Sequence, residues 1–207
     1  MGRNTGQQPP QSGQDLQGFP HRTVRAGTPW HRAHRRDLGA WFFASQGCGR
    51  FDLREPYGTC YVGNTPEVAA REAIGPDLIG AGMVTDVFLA ERVVSRIPLP
   101  TDVTAAKLTS NDAMAHRVTG ELSTMPGYAV PQAWAEAFRE HGFGGVWYQP
   151  RFSPGKGRAL GIFGPSGAGE CDLLERQRLR AVVDQMIAVH VVDTGSLDDY
   201  EVLDDPG

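Results

Sequence analysis

Cysteine is scarce in this 207-residue chain. The three present, Cys48, Cys60 and Cys171, are widely spaced, with no Cys-x-x-Cys pair and no histidine in zinc-ligand register. They read as reduced thiols, so neither a disulfide framework nor a structural zinc site is expected. Long apolar runs are missing too: no stretch approaches the roughly 18 residues of a membrane-spanning helix. Met1 to Pro20 is polar and rich in Gln and Gly, without the apolar centre of a signal peptide, and cytoplasmic residence is expected. There is no excess of positive charge. Twenty Lys and Arg stand against 24 Asp and Glu, a net charge of -4, and the two signs are interspersed, which sets aside direct nucleic-acid binding. Gly-x-Ser-x-Gly and His-Glu-x-x-His do not occur, so serine-hydrolase and zinc-peptidase chemistry loses support. His116, His141 and His190 lie at spacings unsuited to a metal. The glycine-rich run 164–169 lacks the Lys-Ser/Thr ending of a phosphate-binding loop and reads as an ordinary loop.

What is present is a 40% hydrophobic content, enough for one sizeable core. Residues 1–28 hold few apolar anchors and are expected to be a flexible polar tail. Residues 29–197 form the working domain, and 198–207 an acidic tail. A strand is expected over Thr59–Gly63. Asn64-Thr65-Pro66-Glu67 then supplies a cap, a proline at the first helical position and an acid in the first turn, predicting a helix that Gly75-Pro76 stops after Ile74. Met83–Val94 reads as a long strand and Pro131–His141 as an amphipathic helix ended by Gly142. Gly145–Gln149 and Arg158–Phe163 read as strands, Cys171–Gln185 as helix and Ile187–Val192 as a last strand. Strands outnumber helices without regular alternation, which predicts an α+β fold rather than a doubly wound sheet.

Two features carry chemistry. On the wheel of the Glu67–Ile74 helix, Glu67 and Arg71 share one side, while Glu72 falls among Val68, Ala69 and Ala73. An inward carboxylate needs a partner, a cleft or a raised pKa, so Glu72 is either a structural partner of a buried group or a functional acid. Arg32, in Trp30-His31-Arg32, and Arg50, in Gly49-Arg50-Phe51, sit beside small and aromatic residues. Guanidinium groups in such settings suit a pyrophosphate ligand with rings to stack, although solvated surface placement is the commoner fate of an arginine.

Taken in order, Trp30-His31-Arg32, Gly49-Arg50-Phe51, Gly58-Thr59-Cys60-Tyr61-Val62-Gly63, Ala69-Ala70-Arg71-Glu72, the run Gly142 to Tyr148 and Arg158 to Phe163 resemble the RES domain, over most of Pro29 to Phe163. The resemblance implies an ADP-ribosyltransferase-like fold, two small, mostly antiparallel sheets around a NAD cleft with flanking helices. It also implies a toxin that cleaves the nicotinamide–ribose bond of NAD by hydrolysis or phosphorolysis, held in check by a cognate antitoxin. NAD is then the substrate; no metal and no prosthetic group is implied, and oligomerisation is left open. Carried over, Arg32 and Arg50 would hold the NAD phosphates, with Arg32 also in the catalytic set. Tyr61 would pack on the nicotinamide side and Glu72 would act at the ribose. The family's serine is displaced: Tyr148-Gln149 is followed by Pro150-Arg151, and Ser153 comes three residues after Pro150, so Arg151 or Ser153 would take its place at the ligand. A carboxylate on a ribose hydroxyl stabilises the oxocarbenium-like charge as it develops, and nicotinamide leaves neutral without a general acid. Protein ADP-ribosylation and a degenerate, binding-only scaffold are the alternative readings.

Overall fold

The computed structural model describes residues 6–187 and 189–195. In chain order its elements are β1 (His21–Val24), β2 (Pro29–Arg35), β3 (Phe42–Phe43), β4 (Tyr57–Gly63), α1 (Pro66–Ala81), β5 (Val84–Thr85), α2 (Asp86–Ala90), β6 (Arg92–Pro98), β7 (Val103–Lys107), α3 (Ala129–Glu140), β8 (Gly145–Tyr148), β9 (Ala159–Pro165), β10 (Gly167–Ala168), β11 (Glu175–Arg178), α4 (Leu179–Val183) and β12 (Val191–Val192). Two 3-10 turns, Asn111–His116 and Gly120–Ser123, precede α3. This is the mixed α+β composition expected.

The two separate small sheets implied by the resemblance are replaced by one hydrogen-bonded order of eight strands, β1-β7-β8-β9-β4-β2-β6-β11, beside the two-stranded pairs β10-β3 and β12-β5. In the large sheet only β7 and β8 run parallel. Its middle is weak. β2 shares seven residue pairs with β6 and β4 seven with β9, whereas β2 and β4 meet at the single pair His31 with Gly63. The sheet therefore parts into two leaves at that junction, and the strand alternation gives each leaf two differently lined faces.

One face buries Trp30, Trp41, Phe43, Cys60, Ile97, Trp147 and Ile162 across both leaves. On the other face the leaves are covered separately. α3 brings Trp134 and Phe138 onto Val146 and Tyr148, while α1 and α4 bring Ala70, Ile74, Leu179 and Val183 onto Val94. Between these two coverings the sheet is left open, and the cavity described below occupies the gap.

Several expectations are corrected. α1 does not stop at Ile74 but runs through Pro76 to a left-handed Gly82 cap. Proline removes the hydrogen bond to the carbonyl four residues back, that of Glu72, yet the buried Ile74 and Gly75 keep the helix packed. Thr65 caps it as expected, accepting from the Val68 amide at 3.1 Å. The predicted strand 83–94 is broken by α2, because Thr85 accepts from the Phe88 amide at 3.2 Å and Asp86 sits in the first turn. These start signals outweigh the β-favouring valines. Residues 171–185 divide into β11 and the short α4, and the last strand shrinks to Val191–Val192.

The N-terminal segment is no free tail where it is described. Leu16 and Phe19 are buried, β1 pairs with β7, and the Gln7 amide donates to Glu121 at 2.7 Å. Two large apolar anchors and a ladder hold what composition alone assigned to solvent. Residues 1–5 and the acidic tail 198–207 lie outside the described residues. Among the described residues, no helix is long and apolar enough to cross a membrane.

Candidate functional site

The parting of the leaves opens a cavity of about 280 Å³. It is lined by small residues, Ala33 from β2 and Ala69 and Ala73 from α1, together with Tyr61, Tyr128 and Tyr148. The charged groups facing it are Glu72, Arg50 and Arg151, and His31 adds an imidazole.

Glu72 points inward, as its place on the helical wheel requires. Its Oε1 accepts from the Phe152 amide at 2.9 Å. Burial raises its pKa above the ordinary carboxylate value, opposed by the Phe152 amide and by the positive charges of Arg50 and Arg151. That balance describes a carboxylate held in an apolar setting between two guanidinium groups. The loop after β8 approaches α1 closely because residue 75 is glycine: a Cβ there would stand 2.2 Å from the Phe152 ring. Gly75 thus keeps the Phe152 amide within reach of Glu72.

Arg50 donates to the Met125 carbonyl at 2.5 Å and lies 5.0 Å from the centre of the Tyr128 ring. Burial lowers its pKa, which still leaves a guanidinium charged at neutral pH. The remaining N–H groups are available to an anion. The Arg151 guanidinium lies 5.4 Å from the centre of the Phe152 ring and has no hydrogen-bond or ion-pair partner among the described residues, so it is similarly open to a ligand.

Tyr61 lines the cavity with its ring, but its hydroxyl is committed elsewhere. It donates to Asp52 Oδ1 at 2.7 Å and accepts from the Phe51 amide at 2.8 Å. Burial and the neighbouring Asp52 carboxylate hold its pKa well above the ordinary value. Asp52 is itself buried, which raises its pKa, and it accepts from the Gly49 amide at 2.8 Å. A Cβ at residue 49 would come within 2.2 Å of Asp52 Oδ1, so glycine permits the loop carrying Arg50 to wrap this carboxylate. Asp52 is a positioning group that sequence reasoning missed. The signal was available in the run Phe51-Asp52-Leu53, a carboxylate between two fully buried apolar residues. Tyr148 was also missed as a wall residue. Its place is fixed by period two in β8, where Val146 and Tyr148 share the cavity-side face and Trp147 the other.

Two expected site residues lie elsewhere. Arg32 is outside the cavity: its Nη1 donates to the carbonyls of Ala40 and Phe42 at 3.1 and 2.6 Å and to the Cys60 sulfur at 2.8 Å. The reason is strand parity, since His31 and Ala33 of β2 line the cavity and the residue between them must face the opposite way. Ser153 likewise misses the cavity. It is buried with its Oγ unpartnered, lining a separate cleft beside Asn64 and Thr65. Of the two candidates for the displaced serine, Arg151 is the one that reaches the cavity. Glu72, Arg50, Tyr61 and Arg151 are therefore brought together, and Arg32 and Ser153 are not. Among the described residues no three His, Cys, Asp or Glu side chains gather as metal ligands would.

No curated protein matches the chain in sequence. Among solved structures the fold is similar to that of a chain in the crystal structure of the M. tuberculosis MbcT-MbcA toxin-antitoxin complex, with a TM-score of 0.62 and 14% identity, over 78% of this chain and 90% of that one. In sequence, the RES domain profile matches residues 22–184. That match takes in both leaves of the sheet, the helix bearing Glu72 and the loop bearing Arg151, and the chain belongs to the RES-domain family.

Proposed function

We propose that this protein binds NAD in the cavity between the leaves and cleaves its nicotinamide–ribose bond, as a toxin countered by a cognate antitoxin. The observation that carries the reading is Glu72, a partly buried carboxylate lining the cavity with Arg50, Arg151 and tyrosine rings. The arginines suit the two phosphates, the small apolar residues suit the flat base, and the carboxylate suits the sugar between them. A volume of about 280 Å³ falls just under the roughly 300–1,000 Å³ span of small-molecule sites. It accommodates the reactive half of the dinucleotide, with the adenosine end across the mouth.

In the reaction the C1′–N bond breaks with its electron pair going to the pyridine ring, which leaves as neutral nicotinamide. Positive charge develops on C1′ and the ring oxygen, and Glu72, hydrogen-bonded to a ribose hydroxyl, stabilises it most at the transition state. Water or phosphate then adds to C1′, giving ADP-ribose or its 1-phosphate. The ADP-ribosyltransferase-like character of the fold and action in the cytoplasm belong to this same reading. The toxin assignment draws on the likeness to a chain of a toxin-antitoxin complex.

Purified protein incubated with NAD, with and without phosphate, is expected to release free nicotinamide, and Glu72→Ala is expected to abolish the release. No release by the wild type, or undiminished release by the variant, would overturn the proposal. Radiolabelled NAD appearing on protein would identify a protein acceptor instead. Induced expression is expected to arrest growth, and co-expression of the antitoxin to restore it.

A further inference from the structure

His31 is the cavity residue that the cleavage chemistry leaves unused. It lies at the one backbone pair joining the two leaves, opposite Gly63, with the first turn of α1 against that glycine. Its ring lines the cavity, while its Nδ1 is buried and has no hydrogen-bond partner. A buried ring nitrogen without a partner shows that the imidazole is not spent on internal hydrogen bonding. The protonation state is settled by its surroundings. Burial and the charge of Arg96 lower its pKa, outweighing Glu175, and the carbonyls of Gly63 and Asn64 lie beside the ring. A neutral imidazole carries one N–H and one lone pair, so the ring has an acceptor to offer.

Position along the cavity then indicates what the ring meets. The charges felt by Glu72 are those of Arg50 and Arg151, whereas those acting most strongly on His31 are Arg96 and Glu175. Glu72 stands three residues along α1 from Ala69, about 4.5 Å at the helical rise, and Ala69 packs against the Gly63 end. Glu72 therefore shares its surroundings with the arginines and His31 does not, which we read as a phosphate and ribose side and a base side. On the His31 side Ala33 and Ala69 also line the cavity, and His31 is a polar group beside them.

We propose that His31 accepts a hydrogen bond from the carboxamide N–H of the nicotinamide ring and so makes the site select the amide over the corresponding carboxylate. A carboxylate has no hydrogen to give and would set its negative charge against the imidazole lone pair. The inference rests on the NAD reading above and names the group within the base that is recognised.

The test compares cleavage of NAD with that of its deamido analogue, nicotinic acid adenine dinucleotide, by the wild type, His31→Leu and His31→Gln. The wild type is expected to favour NAD. His31→Leu should lose about tenfold in kcat/KM for NAD, mostly through KM, and lose the preference between the two substrates. His31→Gln, whose amide oxygen can still accept, should recover part of both. Binding of free nicotinamide against nicotinate, measured by calorimetry, gives a second readout that needs no turnover of the variants. Equal discrimination by the wild type and both variants overturns the role of His31 while leaving NAD cleavage standing. A wild type that neither cleaves NAD nor binds nicotinamide overturns both.

Discussion

Glu72 is destabilising where it is useful. Its folded pKa is raised by burial, so the native state holds the proton more tightly than the unfolded chain. Its contribution to stability is therefore most favourable in acid, where both states are protonated. It falls as pH rises from the ordinary carboxylate value through the raised one. Glu72→Gln keeps an oxygen for the Phe152 amide and removes the charge. The variant is expected to melt above the wild type at neutral pH, with the difference vanishing in acid, while NAD turnover drops at least about 100-fold. Wild-type turnover needs the ionised carboxylate and should rise with pH with an inflection above that of an ordinary glutamate; a flat profile through that window would remove Glu72 from the chemistry. The two arginines make a contrasting pair. Arg50→Ala should raise KM for NAD by roughly 10- to 100-fold, since hydrogen bonds to charged groups are worth about 1.5–3 kcal/mol. Arg32→Ala leaves the Ala40 and Phe42 carbonyls without their donor. It should cost about 1–3 kcal/mol of stability in chemical denaturation and leave KM unchanged.

At the scale of elements, the site depends on how α1 meets the loop after β8. Gly75→Ala would place a Cβ against the Phe152 ring, push the loop away and take the Phe152 amide from Glu72. Turnover is expected to fall while the helix, given a better helix former, keeps its circular dichroism; unchanged kinetics would show that the amide contact is dispensable. This is also the scale at which the sequence misleads. The inward face of α1 and its Thr65 cap were legible because a 100° period and a capping residue are local. Its end was not, since Gly75-Pro76 reads as a stop and only tertiary packing of Ile74 and Gly75 carries the helix past it. Arg32 was placed in the site because an ordered motif gives neighbours in sequence, whereas strand parity decides which of His31 and Arg32 faces the ligand. Asp52 was missed because its importance lies in four groups, Tyr61 and the loop amides of Gly47, Cys48 and Gly49, that converge on it only in the folded chain.

For the whole molecule, the cavity exists because an eight-stranded order is joined at its middle by one pair and is covered by different helices on either side of that junction. α+β character follows from the pattern of elements, but the split depends on long-range pairing that no local period reveals. The same holds for the N-terminal segment, whose polar composition hides Leu16 and Phe19, both beneath α3 and against Phe138 and Trp134. Deleting residues 1–19 should therefore cost several kcal/mol, about 1.5–3 for each large side chain lost from the core, and lower the melting temperature sharply. A melting temperature equal to that of the full chain would contradict this packing. The central claim is that NAD lies between the leaves with its nicotinamide ribose on Glu72. A crystal structure of Glu72→Gln with NAD tests it most directly. The ribose is predicted at residue 72, the phosphates on Arg50 and Arg151 and the carboxamide on His31; a dinucleotide bound elsewhere, with this cavity free of it, would contradict the account.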